Sequence, residues 1–352
     1  MSKPAYDYGV FIGRFQPLHV GHTHIIDEAL KQVDTLIVLI GSAGNARTIK
    51  NPFTFEERKH VIEQTYRHET AQRRIIVLPI TDYQDDDKAW AEEVERLVGD
   101  QITYNLNARP GFNAEGILDQ KVALAGYGKD ASSFYLKMFP NWSSIQIEAQ
   151  KGTLNSTDIR RAYFQSLPSI PVDVLPESTA IFLNNLRWSS IFADLVAEWA
   201  YYADYPKQYG KGPHITGDNI VLHRNQVLLV TRGKIPGKGK LAMPGGFRNP
   251  NERFWDCAVR ELKEETQLDI LAEPDVRCHD SYIVDTPFRS LRGDVNTYVV
   301  VHSLPHDFDR TKLKARDDAA DLDFYDFRTL SPDQFFDDHW SIINGWLTAN
   351  DL

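Results

Sequence analysis

The first half of the chain alternates short apolar runs with amphipathic stretches of helical period. Residues 8–12 are an apolar run, and residues 23–33 repeat apolar side chains three and four apart, so a strand leads through a turn into a helix. Residues 35–40 (TLIVLI) lack polar alternation, as a strand buried on both faces requires, and end in Gly41-Ser42-Ala43-Gly44. The same rhythm predicts a helix over 55–66, a strand over 74–80, a helix over 88–98, and strands over 122–125 and 144–148. Strands that alternate with helices close as right-handed crossovers, so this half is expected to be an α/β, doubly wound parallel sheet.

The rhythm stops between residues 165 and 209. Pro168, Pro171 and Pro176 break the chain, and 181–202 has helical spacing with several aromatics. Trp188, Ile191, Phe192, Leu195, Trp199 and Tyr202 form an apolar stripe expected to pack as core against one domain, with an oligomer interface as the alternative. From residue 219 the period shortens toward two, and 220–222 with 226–230 read as a hairpin across His223-Arg224-Asn225. The pattern therefore divides the chain into 1–167, a connector with a packing helix over 168–209, and 210–352.

A length of 352 residues with 42% hydrophobic content suffices for more than one core. The formal net charge of −10, with no long Lys/Arg run, argues against nucleic-acid or anionic-membrane partners, which need a basic face. Only Cys257 and Cys278 occur, so neither a disulfide framework nor a four-cysteine zinc site can be assembled. No apolar run approaches the roughly 20 residues that span a bilayer, and the first residues lack a secretory pattern, so the cytoplasm is the expected compartment.

Candidate chemistry begins at Gly13-Arg14-Phe15-Gln16-Pro17-Leu18-His19-Val20-Gly21-His22, between the first strand and its helix. Gly13 would let the main chain approach a ligand, and the amides opening the helix attract phosphate. Arg14, His19 and His22 set three potential cations beside this turn, at the position where an open parallel sheet binds ligands. Capping alone would explain one histidine and leaves the cluster unexplained. The stretch resembles the GRFQPxHxGH signature of the nucleotidylyltransferase superfamily, specifically nicotinamide mononucleotide adenylyltransferases of the archaeal type. Its HxGH core is shared with cytidylyl- and pantetheine-phosphate transferases, so the core implies the reaction class and leaves the substrate open.

Further motifs follow in the family's order. Lys50-Asn51-Pro52-Phe53-Thr54-Phe55-Glu56-Glu57-Arg58 contains a capping box, Thr54 with Glu57, and is similar to the family's NPFTxxER motif, in which the basic residue here numbered Lys50 faces the triphosphate. The acidic loop over residues 81–87 reads equally well as a solvated face, but the nearby Trp90 occupies the point where the family stacks a tryptophan on nicotinamide. Gly126-Tyr127-Gly128-Lys129-Asp130 follows a strand. Leu154-Asn155-Ser156-Thr157-Asp158-Ile159-Arg160 resembles the ISSTxIR signature with asparagine for the first serine. There Ser156 and Thr157 can cap a helix or receive phosphate, and Arg160 lies one turn in. The resemblance implies a Rossmann-like nucleotidylyltransferase domain that binds ATP through Gly13, Arg14, Phe15, Lys50, Gly126, Ser156 and Thr157, and nicotinamide mononucleotide through Trp90. His19, His22 and Arg160 would act in catalysis, with Mg²⁺, and the product would be NAD.

In the second half, Gly246 to Glu252 is followed after seven residues by Arg260-Glu261-Leu262-Lys263-Glu264-Glu265-Thr266-Gln267-Leu268. On a helix Glu261, Glu264 and Glu265 stand at i, i+3 and i+4, where unrelieved like charges repel and a divalent cation relieves them. The spacing resembles the Nudix box, GX5EX7REUXEEXGU, apart from Gln267 in place of glycine. The resemblance implies an α/β/α Nudix domain with Mg²⁺ or Mn²⁺ held by Gly246, Glu261, Glu264 and Glu265, the latter two catalytic. The absent glycine normally ends the helix with positive φ, so glutamine there carries strain of about 1 kcal/mol. Asp285 to Gly293 resembles a segment of Nudix ADP-ribose pyrophosphatases, with Arg289 and Arg292 as candidate ADP-ribose ligands, and Arg316-Asp317-Asp318-Ala319 resembles their GDDA loop with arginine for glycine.

The whole chain thus resembles bacterial proteins that join the two enzymes. A broader nucleoside-diphosphate hydrolase, or a Nudix module that senses its ligand without hydrolysis, are the alternatives for the second half. Assembly as a homo-oligomer is left as an open expectation.

Overall fold

The computed structural model describes residues 4–82, 86–108, 119–126, 138–148, 155–165, 172–273 and 275–352. They form two compact units that divide between Leu195 and Val196. Among the described residues no helix is long and apolar enough to cross a membrane.

The first unit runs β1 (Tyr6–Gly13), α1 (Val20–Leu30), β2 (Val33–Ile40), α2 (Phe55–Thr65), α3 (Arg67–Ala71), β3 (Ile75–Pro79), α4 (Asp87–Asn107), β4 (Val122–Gly126), β5 (Ser143–Gln146) and α5 (Ser156–Phe164). The five strands are parallel in the order β3-β2-β1-β4-β5. Chain progression reverses direction between β1 and β4, so a crevice opens at their carboxyl ends, where Gly13 and Gly126 are the last strand residues.

Alternation along β2 supplies both cores. Leu36, Val38 and Ile40 meet Ile25, Ile26 and Ile62 on one face, while Ile37 and Leu39 meet Val94, Val98 and Ile102 on the other. α4 extends well past the expected 88–98 because Val94, Val98, Ile102 and Leu106 continue one buried stripe through Gly99. α1 starts earlier than the apolar spacing indicates, because His19 caps it.

Two helices follow within the connector, α6 (Glu177–Leu186) and α7 (Ser190–Tyr209), and the division between units falls inside α7. α6 belongs to the first unit: Ser178 Oγ lies 2.6 Å from Thr65 Oγ1, and the Tyr163 hydroxyl donates to Leu183 O at 2.7 Å. The expected stripe is core only in part. Leu195 and Tyr202 are buried and Phe192 packs 4.8 Å from Tyr163, but Trp188 is 84% exposed and Ile191 is also exposed. Trp188 lies in the turn before α7, outside the helix that carries the rest of the run.

The second unit contains β6 (His214–His223), β7 (Gln226–Arg232), β8 (Leu241–Ala242), β9 (Gly245–Phe247), α8 (Phe254–Thr266), β10 (Arg277–Val284), β11 (Val295–Ser303), β12 (Ala319–Tyr325) and α9 (His339–Ala349). Its mixed sheet has the order β10-β11-β6-β7-β12, with β8 on β7, β9 on β6, and β6 parallel to β11. The hairpin forms as expected, but its first strand begins at His214 and its turn is Arg224-Asn225, with His223 paired to Gln226. One face packs under α8 through Val221, Leu228, Val259 and Leu262, and the other under α9 through Ile220, Leu229, Ile342 and Ile343. The helix sits very close to the sheet at Gly217, where a Cβ would lie 2.7 Å from Ala258 N. The result is an α/β/α sandwich, as expected.

Candidate active sites

In the first unit, three motifs distant in sequence converge on Gln16. Its side chain accepts from Phe53 N at 3.0 Å and donates to Phe53 O at 2.9 Å, binding the 13–22 turn to the 50–58 segment. Its own carbonyl accepts from Arg160 Nη1 at 2.7 Å, and Ser156 Oγ donates to Pro17 O at 3.3 Å, which brings in the start of α5. Asn155 caps that helix by accepting from Asp158 N at 2.9 Å, so the residue departing from the family pattern does the capping expected of Ser156 and Thr157. Thr157 Oγ1 instead accepts from Arg160 Nη2 at 3.3 Å.

The histidines are held by the main chain and by each other. His19 Nδ1 accepts from Gly21 N at 3.1 Å, His22 Nδ1 accepts from His19 N at 3.3 Å, and the rings stack 3.8 Å apart. A nitrogen that accepts an N–H bond leaves the other ring nitrogen, Nε2, as the one able to donate. Nδ1 of each ring is thus engaged by the main chain. Gly13 likewise serves packing, since a Cβ there would meet the Phe15 ring at 3.0 Å, and Phe15 is buried with φ of 49°.

Arg58 is a central residue to which the sequence assigned no role. Its guanidinium donates to Arg14 O and Gly41 O at 2.7 Å, Ser42 O at 3.1 Å and, through Nε, Thr54 O at 3.1 Å. Burial lowers its pKa to about 10 against the opposing charge of Asp82, and burial with the nearby Arg14 does the same for Arg160. Both remain cations at neutral pH. Asp82 accepts from Ser42 N at 3.1 Å and from Asn45 Nδ2 at 2.9 Å, which shapes the loop after β2. Arg47 is bidentate to Glu57 at 2.9 Å, supporting the capping box of Thr54.

Lys50 is exposed on the same segment, and Gly126 is buried at the end of β4. Trp90 is partly buried near the start of α4, 6.2 Å from the ring of Phe139 at the edge of the second core. Tyr83–Asp85, Tyr127–Asp130, Leu154 and the expected boundary at 167/168 lie outside the described residues.

In the second unit, α8 presents its acidic residues unequally. Glu261 and Glu265 are buried against β9, whereas the Glu264 side chain is 47% exposed. Arg260 occupies the centre of the cluster, donating to Glu261 at 2.6 Å, Glu264 at 2.8 Å and Glu252 at 2.7 and 2.9 Å. These bonds hold the Glu252 carboxyl down to about 2. Glu265 instead accepts from Gly245 N at 3.0 Å, and burial, aided by the charge of Glu261, pushes its carboxyl up to about 8. Glu261 is also raised by burial, although Arg260 opposes the shift.

Whether these residues suit a divalent metal is answered at Gly246. A Cβ there would lie 2.5 Å from the Glu261 carboxylate, so only glycine lets the main chain come this close, and Glu265 approaches the same strand from one turn on. The oxygen-only donors and the raised carboxyls suit a hard cation. Among the described residues no group of three His, Cys, Asp or Glu is arranged to hold one, and Arg260 lies between Glu261 and Glu264.

Arg289 and Arg292 are not surface arginines. Arg289 is bidentate to Asp338 at 2.7 and 2.8 Å, with 4% of its side chain exposed. Arg292 pairs with Asp337 at 3.4 Å and lies over the rings of Phe247 and Phe336, 5.2 and 5.4 Å from their centroids. Arg292 is therefore next to the strand that carries Gly246, while Arg289 anchors its loop to the start of α9.

Comparison with known proteins places both units. A cytidylyltransferase-like model matches residues 10–102 and a NUDIX-domain model matches residues 213–345. The nicotinamide/nicotinic acid mononucleotide adenylyltransferase of Acinetobacter baylyi is 38% identical over 190 residues, 54% of this chain and 92% of that protein. A bifunctional NMN adenylyltransferase/ADP ribose pyrophosphatase from Francisella tularensis matches over 97% of this chain and 99% of that one, with 30% identity and a TM-score of 0.81. Its complex with AMP and manganese gives 0.79 at 29% identity. The chain belongs to this bifunctional NMN adenylyltransferase/ADP-ribose pyrophosphatase family.

Within that family frame, the residues that sequence reasoning missed act on the main chain. Gln16 and Arg58 lie inside motifs that were recognised, yet their partners are carbonyls and amides of other segments, which no side-chain pattern records. Asp82 lay in a run that read equally well as a solvated face.

Proposed function

We propose that this chain makes NAD in its first unit, by adenylyl transfer from ATP to nicotinamide mononucleotide, and hydrolyses ADP-ribose to AMP and ribose 5-phosphate in its second. The observation that carries the first half is the convergence of three motifs on Gln16 at the crevice between β1 and β4. A phosphate oxygen of the mononucleotide attacks the α-phosphorus of ATP, and pyrophosphate leaves opposite; no nucleophilic side chain is needed. The protein aligns the two anions and meets the charge that grows between them. His19 and His22 offer Nε2–H donors, while Arg14, Lys50 and Arg160 supply positive charge and Mg²⁺ accompanies the triphosphate. Ser156 and Thr157 offer hydroxyls and amides at the α5 N-terminus. Gly13, Phe15 and Gly126 shape the floor, and Trp90 stacks on nicotinamide.

The second half rests on the closeness of Glu261 and Glu265 to the Gly245-Gly246 main chain. Mg²⁺ or Mn²⁺ held by the Gly246 carbonyl, Glu261, Glu265 and, once it leaves Arg260, Glu264 would supply Lewis acidity toward the diphosphate. Arg260 keeps the carboxylates together before loading. Arg292, beside Phe247, offers its guanidinium to the diphosphate or terminal ribose phosphate, and Arg289 orders the loop that carries it.

Purified protein given ATP, nicotinamide mononucleotide and Mg²⁺ should yield NAD and pyrophosphate, and given ADP-ribose with Mg²⁺ or Mn²⁺ should yield AMP. Absence of NAD removes the first assignment. Binding of ADP-ribose without AMP release would make the second unit a sensing module, and faster release from other nucleoside diphosphates would make it a broader hydrolase.

A further inference from the structure

The sequence departs from the Nudix ADP-ribose pyrophosphatase patterns at two positions, each with a larger residue for glycine: Gln267 after the box helix and Arg316 in the loop before β12. The structure brings these two together. Gln267 takes the left-handed conformation that the missing glycine would adopt, with φ of 63° and ψ of 7°. Its side-chain amide lies 2.8 and 3.1 Å from the Arg316 guanidinium Nε and Nη2, and since both are donors the amide atom facing them is assigned as the oxygen that accepts. Arg316 also donates its backbone N–H to Glu265 O at 2.9 Å, and Lys314 N donates to Thr266 O at 3.0 Å.

A helix ends with carbonyls that lack partners inside it. Here the 314–318 loop satisfies two of them, and Gly233 N, donating to Asp318 O at 2.8 Å, ties that loop to the end of β7. One of the two carbonyls belongs to Glu265, whose carboxylate reaches back to Gly245 N. Anything that loosens the last turn of α8 therefore moves Glu265 relative to the Gly245-Gly246 main chain.

We propose that Arg316 is a positioning residue for the hydrolase site, acting on Glu265 through the helix terminus, and that it compensates for glutamine at 267. This rests on the reading of the second unit as a hydrolase. Glycine at 267 would hold the same turn without help, because it adopts positive φ freely. Glutamine holds it only while its side chain and the adjoining carbonyls are engaged by the loop.

The test uses the full-length protein and three variants: Arg316→Ala, Gln267→Gly and the double variant. ADP-ribose hydrolysis is measured at saturating Mn²⁺, NAD synthesis serves as the folding control, and thermal unfolding is recorded for each. Arg316→Ala should lower kcat by about tenfold, with KM within about twofold, as expected when an interaction acts on the chemical step rather than on substrate binding. Gln267→Gly should stay within about twofold of wild type, and the double variant should recover to within about threefold, the non-additivity expected of a coupled pair. An unchanged kcat in Arg316→Ala overturns the proposal. So does a raised KM at constant kcat, which would place Arg316 on the substrate, or a loss that glycine at 267 does not restore. If wild type releases no AMP, the hydrolase reading fails by itself. The pair is then judged by unfolding midpoints, where Gln267→Gly should abolish the sensitivity to Arg316→Ala and additive shifts would refute the coupling.

Discussion

Both units present a site to phosphorylated ligands, and they do it with opposite charges. In the first, Arg58 and Arg160 are held by carbonyl oxygens of Arg14, Gly41, Ser42, Thr54 and Gln16, and among the described residues neither forms an ion pair. Carbonyls orient a guanidinium without cancelling its charge, so the site stays positive for an anionic ligand. In the second, Arg289, Arg292 and Arg260 are all paired with carboxylates, and Glu261 and Glu265 are buried close together. That site gathers carboxylates instead, and under the proposed function a divalent cation would stand between them and the diphosphate. Under the proposed function, one site would meet phosphate with protein cations and the other through a divalent cation.

The sharpest way to break this contrast is to remove charge from the second site. Glu265→Gln should cost at least about 10²-fold in kcat for ADP-ribose, because the metal's role is worth several kcal/mol. NAD synthesis by the same preparation should be unchanged. Wild-type AMP release from the variant would show that the acidic cluster does not bind the cation, and loss of both activities in a folded variant would show that the two sites are not independent.

His22→Ala addresses the other side. Deleting an Nε2–H donor aimed at developing charge should lower kcat for NAD synthesis by roughly 10²-fold, while ADP-ribose hydrolysis persists. Since Nδ1 accepts from the main chain, the proposed role falls to the Nε2–H, and His22→Gln, which keeps a donor, should retain more activity than alanine. Equal losses in the two variants would contradict the donor role.

Trp90→Ala should raise KM for nicotinamide mononucleotide more than for ATP, by about 1 kcal/mol or somewhat more, the scale of aromatic stacking on a base. Because the ring also packs near Phe139, Trp90→Phe is the informative partner variant. An equal rise for both substrates would make Trp90 a support of the fold. The smallest effect is expected from Thr54→Ala, which removes the α2 cap and should cost about 1 kcal/mol of stability, read as a lower melting temperature of the first unit only.

Much of the architecture was legible because it depends on local periodicity. The strands of the first unit, the helix starting at Phe55, the hairpin over β6 and β7, and the box helix α8 all follow from patterns that a few neighbouring residues create. α4 runs past the expected 88–98 because the buried spacing of Val94, Val98, Ile102 and Leu106 continues through Gly99. The outward position of Trp188 could not be read from hydrophobicity, since burial depends on where the helix starts and what faces it.

By itself the sequence determined which chemistry is available. It supplies histidines and arginines around a turn after the first strand, and carboxylates at helical spacing after a glycine, because residue type and short-range spacing are written directly in the chain. Only the tertiary structure decided what each group does. The histidines cap the turn because backbone amides reach their Nδ1 atoms, and Arg289 is an anchor because Asp338 reaches it from 49 residues away. Gln267 meets Arg316 from a loop far along the chain. Protonation, burial and pairing are set by neighbours in space, and those neighbours exist only once distant segments have packed.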